Sequence, residues 1–192
     1  SANEKRALYD LGHRMLTALG YYDIGMDHFA LPEDTLYIAE QTKKLHRNFM
    51  GYTHQYTSLL VGLGVSSISD TWDGYAQNVK TVEEYIAIIN EGELPAVKGH
   101  FLSAEDMIIR KHILNIMCKG ETEWNHHIEP CNDLIEGLER MKGLADDGLV
   151  ELGSYYLLVT PTGKRFLRNI CMAIDARLWA DQPLTQLFSM AG

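Results

Sequence analysis

Nowhere in this 192-residue sequence do two cysteines stand near one another. The three that occur, Cys118, Cys131 and Cys171, are an odd number at wide spacing. That fits neither a disulfide framework nor the closely paired thiols of a zinc site. Long apolar runs are missing too: no window approaches the roughly 18 consecutive apolar residues of a membrane span, and no secretory leader is visible. Basic residues are scarce, 17 against 26 acidic ones, for a formal charge of −9. Nucleic acid and anionic membranes are bound through clustered Lys and Arg, so neither partner is expected, and a cytoplasmic protein is. Internal repeats and low-complexity tracts are absent. A chain with 46% apolar and 22% charged residues is globular, and long enough for one or two domains of ~100–200 residues.

What is present is concentrated in residues 45–69, LHRNFMGYTHQYTSLLVGLGVSSIS. Its first half sets Arg47, Asn48 and His54 among Phe49, Tyr52 and Tyr56, which reads as a polar loop. Its second half, 59–69, is a nearly unbroken apolar run with Gly62 and Gly64 inside it. Such a run suits a strand buried on both faces, as in a parallel sheet covered by helices. A glycine within it marks close approach of backbone or ligand; the same spacing also suits an ordinary core strand.

Upstream, Leu8, Leu11, Met15 and Leu19 predict a helix over 4–19 closed by Gly20. A strand is expected over 21–29, with Asp27 and His28 near its C-terminal end, either facing a site or bonding to backbone. A helix follows over 34–45, acidic at its start and basic (Lys43, Lys44) at its end, as the helix dipole favours. The alternation is that of an α/β remnant of a partial (β/α) barrel, in residues 1–70.

Beyond 70 a mostly helical domain, 71–192, is expected. Thr81 with Glu84, and Ser103 with Asp106, read as capping boxes heading helices that end at Gly92 and Gly120. A third helix spans 132–145. Short strands at 149–152 and 155–160 meet at Gly153-Ser154 in a hairpin. Thr160 caps a closing helix with Pro161 at its first position and Leu167, Ile170, Ile174 and Leu178 as its apolar face. That order is winged-helix-like. Asp133, Glu136 and Glu139 on the helix that would enter a groove argue against DNA. Lys164, Arg165 and Arg168 offer a salt link to the barrel or to substrate carboxylates, or else a solvated basic face. His126, His127 and Glu129 have metal-ligand residue types but read as a loop, so no metal site is expected.

HRNFMGYT followed by LLVGLGVSSIS resembles the oxygen-independent coproporphyrinogen III oxidases, a family of radical S-adenosylmethionine enzymes. IGMDHFALPED (24–34), YAQN (75–78), DGLVEL (147–152) and the segment T-x-x-GKRFLRNICM from Thr160 add to the resemblance in the expected order. The resemblance implies the C-terminal portion of such an enzyme. Its substrate would be coproporphyrinogen III, two of whose propionates are oxidatively decarboxylated to the vinyl groups of protoporphyrinogen IX. In that family a reduced [4Fe–4S] cluster cleaves S-adenosylmethionine, and the resulting radical takes a hydrogen from the propionate.

The cluster is held by CxxxCxxC, which this sequence does not contain. The expectation is therefore a fragment that lacks the N-terminal portion, has no catalytic residues of its own and is inactive alone. Carried over by position, Phe49, Met50 and Ile68 would lie at the cofactor site. Members often have glutamine where Met50 stands, so Met50 would offer apolar packing only. Arg47 is the candidate for a substrate carboxylate, because guanidinium binds carboxylate through two parallel hydrogen bonds. Two alternatives stay open: the haem-chaperone branch of the same superfamily, whose SNFA and Asn-x-x-Tyr-Trp segments differ from the residues here, and a winged-helix interaction or regulatory protein.

Overall fold

A computed structural model describes residues 2–125 and 131–180. Helix α1 (Ala2–Ala18) follows the predicted periodicity, yet its apolar face is open: Leu8 and Met15 are 68% and 58% exposed. The strand expected over 21–29 is instead a hairpin of β1 (Tyr22–Gly25) and β2 (His28–Ala30). Met26 and Asp27 between them both take left-handed backbone, φ 48° and 64°, the two-residue turn whose twist suits paired strands. Asp27 and His28 therefore sit at a hairpin turn rather than at the end of a barrel strand. Helix α2 (Thr35–Gln41) starts where Asp34 accepts a hydrogen bond from the Leu36 N–H at 2.7 Å. The predicted polar loop holds a second hairpin, β3 (His46–Asn48) and β4 (Gly51–Thr53).

The run over 59–69 departs furthest from expectation. Only β5 (Ile68–Asp70) is a strand; before it, the backbone forms a bridge between Leu60 and Asp70, and the Ser66 N–H donates to the Val79 carbonyl at 2.8 Å and the Asn78 N–H to the Ser67 carbonyl at 3.0 Å. Side chains add further bonds to this segment. Asn78 donates to the carbonyls of Gly62 and Gly64 at 3.1 and 2.9 Å, the Gly62 N–H donates to the Ser69 hydroxyl at 3.0 Å, and the Gly64 N–H to the Tyr85 hydroxyl at 3.1 Å. Leu63 is 82% exposed, so apolar character here does not mean burial among the described residues. Gly62 does mark a close approach, and the approaching group is backbone: a Cβ there would lie 2.8 Å from the Ile68 carbonyl oxygen.

Strand β5 pairs with β6 (Gly74–Asn78), and β6 with β7 (Ala96–Phe101), in one three-stranded sheet. Position 70, where the sequence changes character, thus falls within that sheet. Every strand pairing among the described residues is antiparallel, and no closed barrel forms. The parallel alternation expected for 1–70 is not seen there, because Met26-Asp27 and Phe49-Met50 are far too short for the dozen or so residues a parallel crossover needs.

Farther along come α3 (Val82–Asn90), α4 (Ala104–Lys119), β8 (Glu121–Glu123), α5 (Asn132–Asp146), β9 (Val150–Leu152) and β10 (Tyr156–Val159). The last three strands form a sheet in the order β8–β10–β9. The Ser103–Asp106 capping box is formed, with both reciprocal bonds at 2.8 and 3.1 Å. That of Thr81 is not: its hydroxyl meets the Glu84 carboxylate at 3.4 Å instead of a helix N–H. Thr160 accepts from the Gly163 N–H at 3.0 Å as a cap should. The closing helix, however, begins as a 3-10 turn (Gly163–Phe166) before α6 (Leu167–Ile174), and Asp175 separates it from α7 (Ala176–Ala180). The histidines at 126 and 127, with Glu129, lie outside the described residues.

Two apolar clusters hold these elements. One joins α4, α5, α6 and the small sheet through Ile116, Leu134, Met141, Leu157, Ile170 and Ile174; the other gathers Ile24, Ala30, Ala39, Leu45 and Tyr52 around Cys118 of α4. Met26 and Met117 pack against both. Polar links cross the same seam. Lys164 donates to the Asp23 carbonyl at 2.6 Å, Arg165 reaches Asp10 at 3.3 Å, Lys43 pairs with Glu121, and the Tyr52 hydroxyl donates to the Met117 carbonyl at 2.8 Å. Lys164 and Arg165 of the closing segment are thus tied to the first part of the chain.

Candidate functional site

The β3–β4 hairpin presents two different sides. Arg47 and Tyr52 are cross-strand partners, and cross-strand pairs share a face. The guanidinium of Arg47 lies 4.8 Å from the Tyr52 ring centroid, toward α4. Its Nη1 is buried without a hydrogen-bond partner. At the tip, the Asn48 side-chain oxygen accepts from the Met50 N–H at 2.8 Å, which leaves Met50 86% exposed. Gly51 follows at φ 124°, so close to His28 that a Cβ would lie 2.7 Å from the imidazole Nε2. His28 donates from Nδ1 to the Met26 carbonyl at 2.8 Å, which fixes its tautomer. One hairpin turn is thus packed on the other.

Phe49 points the other way and meets Tyr75 of β6 edge-to-face, with centroids 5.0 Å apart. Together with Ile68, Gln77, Lys98 and His100 these two rings line a cavity of about 340 Å³. Of the three residues expected at a cofactor site, Phe49 and Ile68 come together here. Met50 stands beside Phe49 at the tip but does not line the cavity, and Arg47 lies on the far side of the hairpin.

Behind this cavity is a cluster that sequence reasoning missed. Arg110 of α4 holds the buried Asp70 carboxylate with Nη2 at 2.7 and 3.0 Å and donates from Nη1 to the Trp72 carbonyl at 2.6 Å. The guanidinium lies 4.4 Å from the Trp72 centroid and 5.1 Å from that of Tyr75. Asp70 also accepts from the Trp72 N–H at 2.9 Å, which pins a bulky residue in left-handed backbone at φ 72°. Edge-to-face contacts continue from Trp72 to Tyr56 and on to His46. Burial, reinforced by the Arg110 charge and opposed by Asp70, pushes the His46 imidazole below its usual range.

No family model matches the chain. The oxygen-independent coproporphyrinogen III oxidase of Salmonella typhimurium is 40% identical over 170 residues, taking in 85% of this chain and 37% of that protein. Its namesake from Synechocystis is 38% identical over 99% of this chain and 42% of its own length. A solved coproporphyrinogen III oxidase from Escherichia coli, described as a radical SAM enzyme, aligns over 93% of this chain and 42% of its own, with a TM-score of 0.85 and 36% identity. Over most of its length the chain is similar to oxygen-independent coproporphyrinogen III oxidases. It spans about two fifths of the length of these relatives.

A radical SAM enzyme holds an iron–sulfur cluster through thiolates, and the cysteines of this chain do not fit that task. All three are buried, and burial pushes the Cys118 and Cys171 thiols up to about 11 and 12 against the opposing Arg47 charge. Among the described residues no group of three His, Cys, Asp or Glu side chains is arranged to hold a metal. The Phe49–Ile68 cavity does fit an organic cofactor: apolar rings and an isoleucine on one side, an amide and a lysine on the other.

Asp70 and Arg110 escaped notice because nothing local links residues forty positions apart. A usable signal was present nearby. Asp73-Gly74 marks a turn in the sequence, which would have suggested a hairpin here, although the structure turns at Trp72-Asp73 with Gly74 already in β6.

Proposed function

We propose that this chain forms one wall of the active site of an oxygen-independent coproporphyrinogen III oxidase, with the cluster ligands and the opposite wall supplied by sequence outside these 192 residues. The reaction is oxidative decarboxylation of two propionates of coproporphyrinogen III to the vinyl groups of protoporphyrinogen IX. One observation carries the reading: Phe49 of HRNF and Ile68 of S-x-IS, distant in sequence, line a single cavity. When bound, S-adenosylmethionine and the cluster supply hydrogen abstraction from the propionate. The residues of this chain bind, orient and exclude water. Phe49 and Ile68 pack against the cofactor, and Met50 adds apolar cover at the rim.

Arg47 is the proposed substrate contact, supported by its unpartnered Nη1, which calls for an anion. A second reading has its own observation. The guanidinium lies over Tyr52, and a cation–π contact there would hold the hairpin in place without touching substrate.

In the same proposal residues 1–70 complete the partial barrel of the remaining sequence. The open apolar face of α1 and the exposed Leu59, Val61 and Leu63 are what that sequence covers, since contiguous apolar surface marks an interaction site. The order α4, β8, α5, β9, β10 supports the winged-helix-like reading of the C-terminal end. A cytoplasmic location goes with this biosynthetic role.

The test is anaerobic turnover by the complete protein that contains this chain. Conversion of coproporphyrinogen III to protoporphyrinogen IX with release of two carbon dioxide molecules is expected. Tight haem binding without turnover would point to the chaperone branch and overturn the assignment.

A further inference from the structure

The β5–β6–β7 sheet offers one more group to the ligand of this cavity. Ile68 is the cross-strand partner of Gln77, and Gln77 of Lys98. Direct cross-strand partners project from the same face, so Ile68, Gln77 and Lys98 form one row across it. With strands ~4.8 Å apart, the lysine stands roughly 10 Å from the isoleucine. The next row on that face is Asp70, Tyr75 and His100. It is already engaged: Asp70 by Arg110, Tyr75 by Phe49 and Arg110, and His100 by Asp106, whose carboxylate lies 3.7 Å from the imidazole Nε2.

Lys98 differs from its neighbours. It lines the cavity, and among the described residues it has no hydrogen-bond or ionic partner. In a chain of formal charge −9, an unpaired cation facing the same cavity as Ile68 is conspicuous by its sign. The row runs from apolar through amide to ammonium, which matches a ligand with an apolar or aromatic body and a carboxylate about 10 Å along it. We infer that Lys98 binds a carboxylate of the ligand held against Phe49 and Ile68. This rests on the active-site reading above. Two carboxylates have the right chemistry, that of the methionine end of S-adenosylmethionine and a propionate of coproporphyrinogen III.

Equilibrium binding to the complete protein under anaerobic conditions separates the cases. Lys98→Met removes the ammonium and keeps the stem; Lys98→Arg keeps the charge. A charge-assisted hydrogen bond near the surface corresponds to roughly a fivefold to tenfold change in affinity. If the cofactor carboxylate is bound, Lys98→Met weakens S-adenosylmethionine by that factor and leaves its decarboxylated analogue unaffected. If a propionate is bound, the same variant weakens coproporphyrinogen III and leaves its tetramethyl ester unaffected. Lys98→Arg retains most of the affinity in either case. Unchanged affinity of Lys98→Met for both ligands overturns the inference. Ile68→Ala serves as the control on the underlying reading. Weaker cofactor binding in Ile68→Ala with unchanged affinity for both ligands in Lys98→Met rejects the lysine alone, and no effect in either variant rejects both. An effect in Lys98→Met alone retains the lysine and rejects the isoleucine contact.

Discussion

Arg110→Met tests whether one helix residue sets the geometry behind the cavity. The wild-type guanidinium satisfies a carboxylate, Asp70, that is 8% exposed, and its own side chain is only 11% exposed. Removing it leaves the Trp72 N–H as the hydrogen bond still donated to that carboxylate. Breaking a buried pair from one side costs about 3–5 kcal/mol, because the remaining charge is uncompensated. Loss of the stacked cation between Trp72 and Tyr75 adds about 0.5–1 kcal/mol per ring, while methionine and entering water return part of the loss. A net destabilisation of about 3–4 kcal/mol follows from these terms. At ~2–4 °C per kcal/mol for a chain of this size, the melting temperature should fall by about 6–16 °C. Urea unfolding of the chain, followed by circular dichroism and tryptophan emission, measures it. Asp70→Asn combined with Arg110→Met should recover more than half of the loss, since no unpaired charge remains. A single variant within about 0.5 kcal/mol of the parent, the range of ordinary surface substitutions, would refute this account of the pair.

Further outcomes follow from other contacts. Arg47→Ala in the complete protein should weaken substrate affinity more than Arg47→Lys if the guanidinium meets a propionate; if it only holds Tyr52, Ala should instead lower thermal stability and cofactor binding together, and substrate titration with melting curves separates the two. Gly62→Ala should destabilise the chain by about 1–3 kcal/mol, the usual cost of overpacking, because its Cβ would meet the Ile68 carbonyl at 2.8 Å; an unchanged urea midpoint would contradict that. Asp106 is held well below the usual carboxylate range, chiefly by its hydrogen bonds from Arg177. Its contribution is therefore present above the unfolded-state pKa near ~4 and lost as pH falls below it, so Asp106→Asn should flatten the stability–pH curve between about pH 5 and 2. Anaerobic iron and sulfide added to this chain alone should produce no stoichiometric cluster absorption, because its thiols are buried with raised pKa values.

Helices were legible wherever a cap and a periodicity agreed, as at Ser103 and Asp106 or at Thr160. The β9–β10 hairpin was legible because Gly153-Ser154 interrupts two short β-rich runs. The first seventy residues misled in a consistent way. The apolar content of residues 21–29 and 59–69 suits whole strands, but in 59–69 much of it is exposed rather than buried, Leu63 being 82% exposed. The turn at Met26-Asp27 has no glycine at its left-handed positions, so its sequence carries no hairpin signal. In the 59–69 run, glycines and Asn78 make a pinned loop whose apolar side chains face outward. Phe49 and Ile68 were reachable through the family resemblance. Their meeting across the β5–β6–β7 sheet, and the dependence of that sheet on Arg110, are tertiary facts that no local window holds.

The central claim is that the Phe49–Ile68 cavity receives the cofactor in the complete protein. Amide hydrogen exchange, measured anaerobically with and without S-adenosylmethionine, reads that contact without any substitution. Slowed exchange should be confined, within this chain, to residues 46–53, 66–78 and 96–101, with no change in 134–146 of α5. Unchanged exchange in all three segments at saturating cofactor, with protection elsewhere in the protein, would contradict the claim.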